Sequence, residues 1–184
     1  SSGADTLNGG DDDDTLKGGA GADTLNGGLG VNTANYGDST DAVIIDLEMD
    51  TASGGHAEGD ELNNIQNLTG SNFDDHLVGF SGNNTISGGA GNDTIEGGFS
   101  NDLLIGGTGD DTIYAMVDDD INGSNADNRL LGGEGDDNLY GSNGSDILEG
   151  GADNDDLKGG GGADEIDGGS GEDVASYFFS SAGV

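Results

Sequence analysis

Large aliphatic residues return along this chain at intervals of nine: Leu7, Leu16 and Leu25 open the series, and Leu77, Ile86, Ile95, Leu104 and Ile113 resume it. Two places before each stands an aspartate or asparagine, and a glycine pair opens most rows, as in GGAGNDTIE, GGFSNDLLI and GGTGDDTIY from Gly88 to Tyr114. Each row divides into a turn half, G-G-x-G-x-D, and a strand half, x-U-x, with U a large aliphatic. Glycine adopts positive φ without a Cβ clash, so the turn half predicts a tight bend. In the strand half, one inward aliphatic between two outward residues predicts a short strand. Thr6, Thr15, Thr24, Thr85, Thr94 and Thr112 occupy the outward place before the aliphatic, as suits a strand. Tandem repetition of such a unit predicts a solenoid in which two rows complete a coil, so that equivalent turns recur every 18 residues on each side.

The period holds in two blocks, residues 1–35 and 70–176, separated by a stretch, 36–69, that does not follow it. Sixth places in the first block are Asp5, Asp14, Asp23 and Asn32. In the second they are Asp75, Asn84, Asp93, Asp102, Asp111, Asp120, Asn128, Asp137, Asp146, Asp155, Asp164 and Asp173. One row, Ala115 to Asn122, is a residue short, so the register slips between Asp120 and Ile121. Between the blocks, Val43, Ile45 and Leu47 alternate with Ile44 and Asp46 and predict a strand; Leu62, Ile65 and Leu68 lead back to the period. The words GGLGVNTANY, ending at Tyr36, and GGSGEDVASY, ending at Tyr177, are one unit repeated 141 residues apart. Residues 177–184 then read as the opening of a second insertion, and the chain as an excerpt of a longer repetitive protein with further domains on both sides.

Composition narrows the function. With 40 glycines among 184 residues, 30% hydrophobic residues and a net charge of −35, the chain would be disordered on composition alone; the strict period overrides that expectation. Lys17, Arg129 and Lys158 are too few and scattered for a basic patch, which argues against nucleic acid as a partner. No stretch approaches the roughly 20 apolar residues of a membrane span, and no charged region followed by an apolar run opens the chain at Ser1. Cysteine is absent, which removes thiolate chemistry. No H-E-x-x-H, G-x-S-x-G or P-loop word occurs, and His56 and His76 read as structural or surface residues. No catalytic residue is expected in this segment, and no organic cofactor.

The carboxylates point instead to a hard divalent cation. Calcium takes six to eight oxygens from carboxylates and peptide carbonyls, more than one such turn supplies, so a site needs two stacked turns. Asp75, Asp93 and Asp111 would form one column and Asn84, Asp102 and Asp120 the other, each ion lying between column neighbours. All sixteen sixth-place residues are candidate ligands, together with turn carbonyls such as those of Gly88, Gly89, Gly91, Gly106, Gly107 and Gly109. One ion per neighbouring pair sets an upper estimate of about twelve. Asp118, Asp120, Asn122 and Gly123 also match the opening of an EF-hand loop, which adds Asp118 and Asn122 as candidates, although Arg129 stands where that loop needs glutamate. Ion binding would supply folding free energy to a thin core and neutralise the carboxylates that oppose folding.

These rows closely resemble the RTX, or haemolysin-type, calcium-binding repeats of secreted bacterial proteins; the resemblance covers everything but residues 36–69 and the last eight. It implies an all-β architecture, a right-handed parallel β-roll in two repeat blocks with a short β-rich insertion. It also implies a chain disordered in the low-calcium cytosol and folded outside the cell, or at its surface, after passage through type I secretion machinery. The role implied is secretion-coupled folding or a structural or adhesin segment, the alternative being a non-catalytic accessory domain of a secreted protease, lipase or polysaccharide-modifying enzyme. Asn32, Asn84 and Asn128 replace a charge, and Asp12, Phe73, Ser100, Ala126 and Asp153 replace the third glycine, so those rows are expected to bind weakly or stand empty.

Overall fold

The computed structural model describes residues 2–116 and 125–176. Its strands run, in chain order, β1 (Thr6–Gly10), β2 (Thr15–Leu16), β3 (Thr24–Gly28), β4 (Thr33–Asn35), β5 (Ile44–Asp46), β6 (Thr51–Ser53), β7 (Glu61–Asn63), β8 (Asn67–Thr69) and β9 (His76–Val78). They continue as β10 (Thr85–Ala90), β11 (Thr94–Glu96), β12 (Leu103–Thr108), β13 (Thr112–Tyr114), β14 (Arg129–Glu134), β15 (Asn138–Tyr140), β16 (Ile147–Ala152), β17 (Asp156–Lys158), β18 (Glu165–Ser170) and β19 (Val174–Ser176).

Successive rows alternate between two faces, giving a parallel β-roll. One face is a sheet in the order β18-β16-β14-β12-β10-β8-β4-β2; the other holds β19-β17-β15-β13-β11-β9-β5-β6 and a separate trio, β1-β3-β7. Every pairing is parallel except that of β6 with β5. Register follows the repeat, Ile86 opposite Leu104, Leu104 opposite Leu130 and Leu130 opposite Leu148 on one face, Ile95 opposite Ile113 and Ile113 opposite Leu139 on the other. The core is two ranks of eighth-place aliphatics pressed between the sheets, and Leu25, Leu77, Ile86, Ile95, Leu104, Ile113, Leu130, Leu139, Leu148 and Leu157 are completely buried. One residue per row faces inward because side chains alternate along a strand and each strand half has a single inward place.

Residues 36–69 join the same sheets. After β4 the chain steps ahead to lay β5 beside β9, doubles back antiparallel as β6, turns through a short 3-10 segment at Gly55–Ala57, and returns as β7 on β3 and β8 on β4. The expected alternation holds at β5, where Ile45 and Val43, just before the strand, are buried and Ile44 is exposed.

The stack differs from the expected one at the short row. β12 pairs directly with β14, and β13 with β15, so no row stands between them. Asp118, Asp120, Ile121 and Asn122 lie outside the described residues. The column place expected for Asp120, next to Asp102, belongs to Asn128, 26 residues on instead of 18. The flanking strands keep the register of the repeat although 26 residues, not 18, separate Asp102 from Asn128, because a longer connection adds little closure cost.

Candidate metal centres

Most sixth-place side chains tie their coil to the one before: one oxygen accepts the main-chain amide of the sixth residue one coil earlier. Asp75, Asp93, Asp111 and Asp137 donate their amides to Oδ1 of Asp93, Asp111, Asp137 and Asp155 at 2.8, 2.8, 2.8 and 2.9 Å. On the other side Asn84 donates to Asp102, Asp102 to Asn128, Asn128 to Asp146 and Asp146 to Asp164. Asp155 donates to Asp173, Asp5 to Asp23 and Asp14 to Asn32, which places every described candidate of the two blocks in a column.

Two ligand-type residues in the insertion are not apparent from the sequence pattern. Asp60 Oδ1 accepts the Asp23 amide at 2.7 Å, and Gln66 Oε1 accepts that of Asn32 at 2.8 Å, so each fills a sixth place. Their signal is Asp60-Glu61-Leu62 and Gln66-Asn67-Leu68, the D-x-U half of a row without its glycines. Tyr36, buried in the same region, donates its hydroxyl to Asp60 Oδ2 at 2.9 Å. Burial, with the neighbouring Asp60 and Asp23, pushes the Tyr36 phenol up, and burial also raises Asp60.

The second carboxylate oxygen reveals what the columns can bind. Oδ2 of Asp14, Asp23, Asp93, Asp102, Asp111, Asp137 and Asp155 is buried with no hydrogen-bond partner. Asp93, Asp102, Asp111, Asp137 and Asp155 are at most 4% exposed. A buried unpaired carboxylate oxygen is costly, and native structures seldom leave one without a partner. Burial raises Asp93, Asp102 and Asp137 to about 7 and Asp111 to about 6, amides of the preceding coil opposing the shift.

Carbonyl oxygens converge on the same points. A Cβ on Gly88 would collide with Asp93 Oδ2 and the Gly106 carbonyl, and one on Gly106 would meet Asp111 Oδ2 and the Gly132 carbonyl. The first glycine of a row is therefore the floor of a space bounded by acceptors of two coils, with no donor for the orphaned oxygen. The second and fourth places, Gly89 (φ +121°) and Gly91 (φ +114°), hold the left-handed backbone of the turn. Asp12, Ser100 and Asp153 adopt the same positive φ where glycine is missing, so their rows keep the turn shape.

Such an oxygen-only cradle fits calcium. Asp93, Asp111, Asp137 and Asp155 with the first-place carbonyls of successive rows would hold it. No three acidic or histidine side chains converge among the described residues, because each turn contributes a single carboxylate and the rest of the donor set is main chain. His76 lies outward beside Glu96, 3.1 Å from Oε1. No helix among the described residues is long and apolar enough to cross a membrane.

Fold and site thus define a calcium-binding solenoid of the parallel β-roll class. The model of the RTX calcium-binding nonapeptide repeat matches residues 1–34, 65–95, 96–121, 116–148 and 140–175. The chain belongs to that family. A comparison with curated proteins found no match.

Proposed function

We propose that this segment is a non-catalytic module that folds on calcium outside the bacterial cell, acting in secretion-coupled folding or as a rigid structural segment. The carrying observation is the rank of buried, unpartnered Oδ2 atoms from Asp93 to Asp155, facing carbonyls of the next coil. Without a cation these oxygens carry their desolvation cost uncompensated, in a chain of net charge −35. Calcium supplies both counter-charge and ligand field, so binding free energy becomes folding free energy. A cytosol poor in calcium would then keep the chain open for export, and a calcium-rich exterior would close it.

The experiment is far-ultraviolet circular dichroism of the chelator-treated chain during calcium titration. The expected result is a disordered spectrum that becomes β-rich with calcium and reverts with excess chelator. A β-rich spectrum insensitive to chelator would defeat the coupled-folding reading.

A further inference from the structure

The turns fall into two backbone classes, and the second residue of the row separates them. In rows opening with Gly-Gly, the second and fourth residues both have positive φ: Gly89 and Gly91, Gly98 and Ser100, Gly107 and Gly109, Gly133 and Gly135, Gly151 and Asp153. In the rows opening Gly70-Ser71, Gly79-Phe80 and Gly141-Ser142, neither residue has it, even though Gly82 and Gly144 occupy the fourth place. A side chain at the second place disfavours the left-handed conformation, so the peptide plane turns over.

The turned peptide presents a donor to the sixth-place side chain. Ser71 donates its amide to Asp75 Oδ2, Phe80 to Asn84 Oδ1 at 3.0 Å, and Ser142 to Asp146 Oδ2 at 2.6 Å. The serine hydroxyls add bonds to the same carboxylates, Ser71 Oγ to Asp75 Oδ1 at 2.8 Å and Ser142 Oγ to Asp146 Oδ2 at 3.2 Å. Asp75 and Asp146 are as buried as Asp93, yet neither has an orphaned oxygen. Where asparagine takes the sixth place, its amide fills the cradle. Asn128 Nδ2 donates to the Ala126 carbonyl at 3.3 Å, to Ser142 Oγ at 3.2 Å and to Asp146 Oδ1 at 3.1 Å; Asn84 Nδ2 donates to the Gln66 carbonyl.

These closures are unevenly shared between the two edges of the roll. On the edge whose turns lead into β11, β13, β15 and β17, four successive rows carry orphaned carboxylates: Asp93, Asp111, Asp137 and Asp155. On the opposite edge Asp102 stands alone between Asn84 and Asn128, Asp146 is capped by Ser142, and only beyond it does Asp164, half-buried, follow a full glycine word at Gly159–Gly162. We infer that residues 70–158 take up calcium mainly along one edge, the Asp93–Asp155 column, while the other edge over that stretch is held mainly by its own hydrogen bonds. G-S-N-x-x-D would then mark an ion-free turn and G-G-x-G-x-D an ion-dependent one. Within the folded roll that second edge needs few ions, and most of the calcium response comes from the Asp93–Asp155 column.

This inference rests on the calcium reading of the columns, and the test separates the two. Calcium bound per chain is counted by equilibrium dialysis on the 184-residue protein, with folding in calcium checked by circular dichroism. Asp137→Asn should lower the count by at least one, and Asp146→Asn should leave it unchanged. Ser142→Gly, which restores the full word G-G-N-G-S-D, should raise it by one and keeps the test decisive if Asp137→Asn misfolds. A wild-type chain that binds no calcium would overturn the calcium reading and this inference together. A wild-type chain that binds calcium, with Asp146→Asn losing as much as Asp137→Asn or Ser142→Gly gaining nothing, would overturn the one-edge assignment alone.

Discussion

Replacing Asp111 with asparagine separates the two roles of that side chain. Asp111 is fully buried; its Oδ1 accepts the Asp93 amide at 2.8 Å, and its Oδ2 has no partner. Asparagine keeps an oxygen for the amide at nearly the same volume and puts an NH2 group, which repels a cation, in place of the orphaned oxygen. The stability lost in calcium is then the ion's contribution. A ligand at 100 times its dissociation constant stabilises the state it binds by about 2.7 kcal/mol, and Asp111 has a column neighbour on each side, so the loss should lie between about 3 and 5 kcal/mol. Asp111→Ala also strands the Asp93 amide and should cost a further 1–3 kcal/mol or so. In chelator the sign reverses, because Asp111→Asn removes a buried charge that nothing compensates. The assay is urea unfolding followed by circular dichroism in saturating calcium, together with the residual β signal of variant and wild type in chelator, with bound calcium counted in parallel. A variant that keeps the wild-type midpoint and ion count in calcium would refute the assignment of Oδ2 as a ligand.

Three further outcomes follow from the same geometry. Leu104→Ala opens a cavity in a completely buried rank and should cost about 2–5 kcal/mol in calcium, measured by urea unfolding, without changing the ion count of the folded chain. Gly107→Ala forces a Cβ onto a residue at φ +130° and into the Gly89 carbonyl; its melting temperature in calcium should fall, and an unchanged value would contradict the turn geometry. Burial raises Asp93, Asp102 and Asp137 from 3.8 to about 7 and Asp111 to about 6, so the ion-free folded roll binds more protons than the open chain between those values. Its stability is therefore greatest below the unfolded value and is lost as pH rises through 6 to 7. The chelated chain should gain β signal on acidification from neutrality to about pH 4, protons standing in for calcium; a signal flat across that window would count against it.

Much of the architecture was legible in the chain. The nine-residue period specified coils of two rows, the inward rank of Leu and Ile, and the grouping of Asp93 with Asp111 and of Asn84 with Asp102. Those features depend on residues within one row, where glycine sets the turn and alternation sets which side chain faces inward. The strand at Ile44–Asp46 was legible for the same reason, but its place beside β9, ahead of the chain's own return through β7 and β8, was not. Asp60 and Gln66 were missed because a sixth place is recognised in sequence by its glycines, and these two occupy the place without them.

Local chemistry therefore settled what each row is: a turn that shapes an oxygen cradle, a carboxylate beside it and one aliphatic for the core. Stacking settled which row lies on which. Asn128 follows Asp102 across 26 residues because β14 pairs with β12, and closing a longer loop adds little cost beside a full ladder of strand hydrogen bonds. Backbone conformation also distinguished the aspartates from one another. Asp93 and Asp146 hold the same sixth place, yet one keeps an oxygen with no partner and the other is capped by the Ser142 amide. The sequence shows Gly89 in one row and Ser142 in the other, but only the structure shows that the φ of that residue decides whether the turn offers the carboxylate a donor.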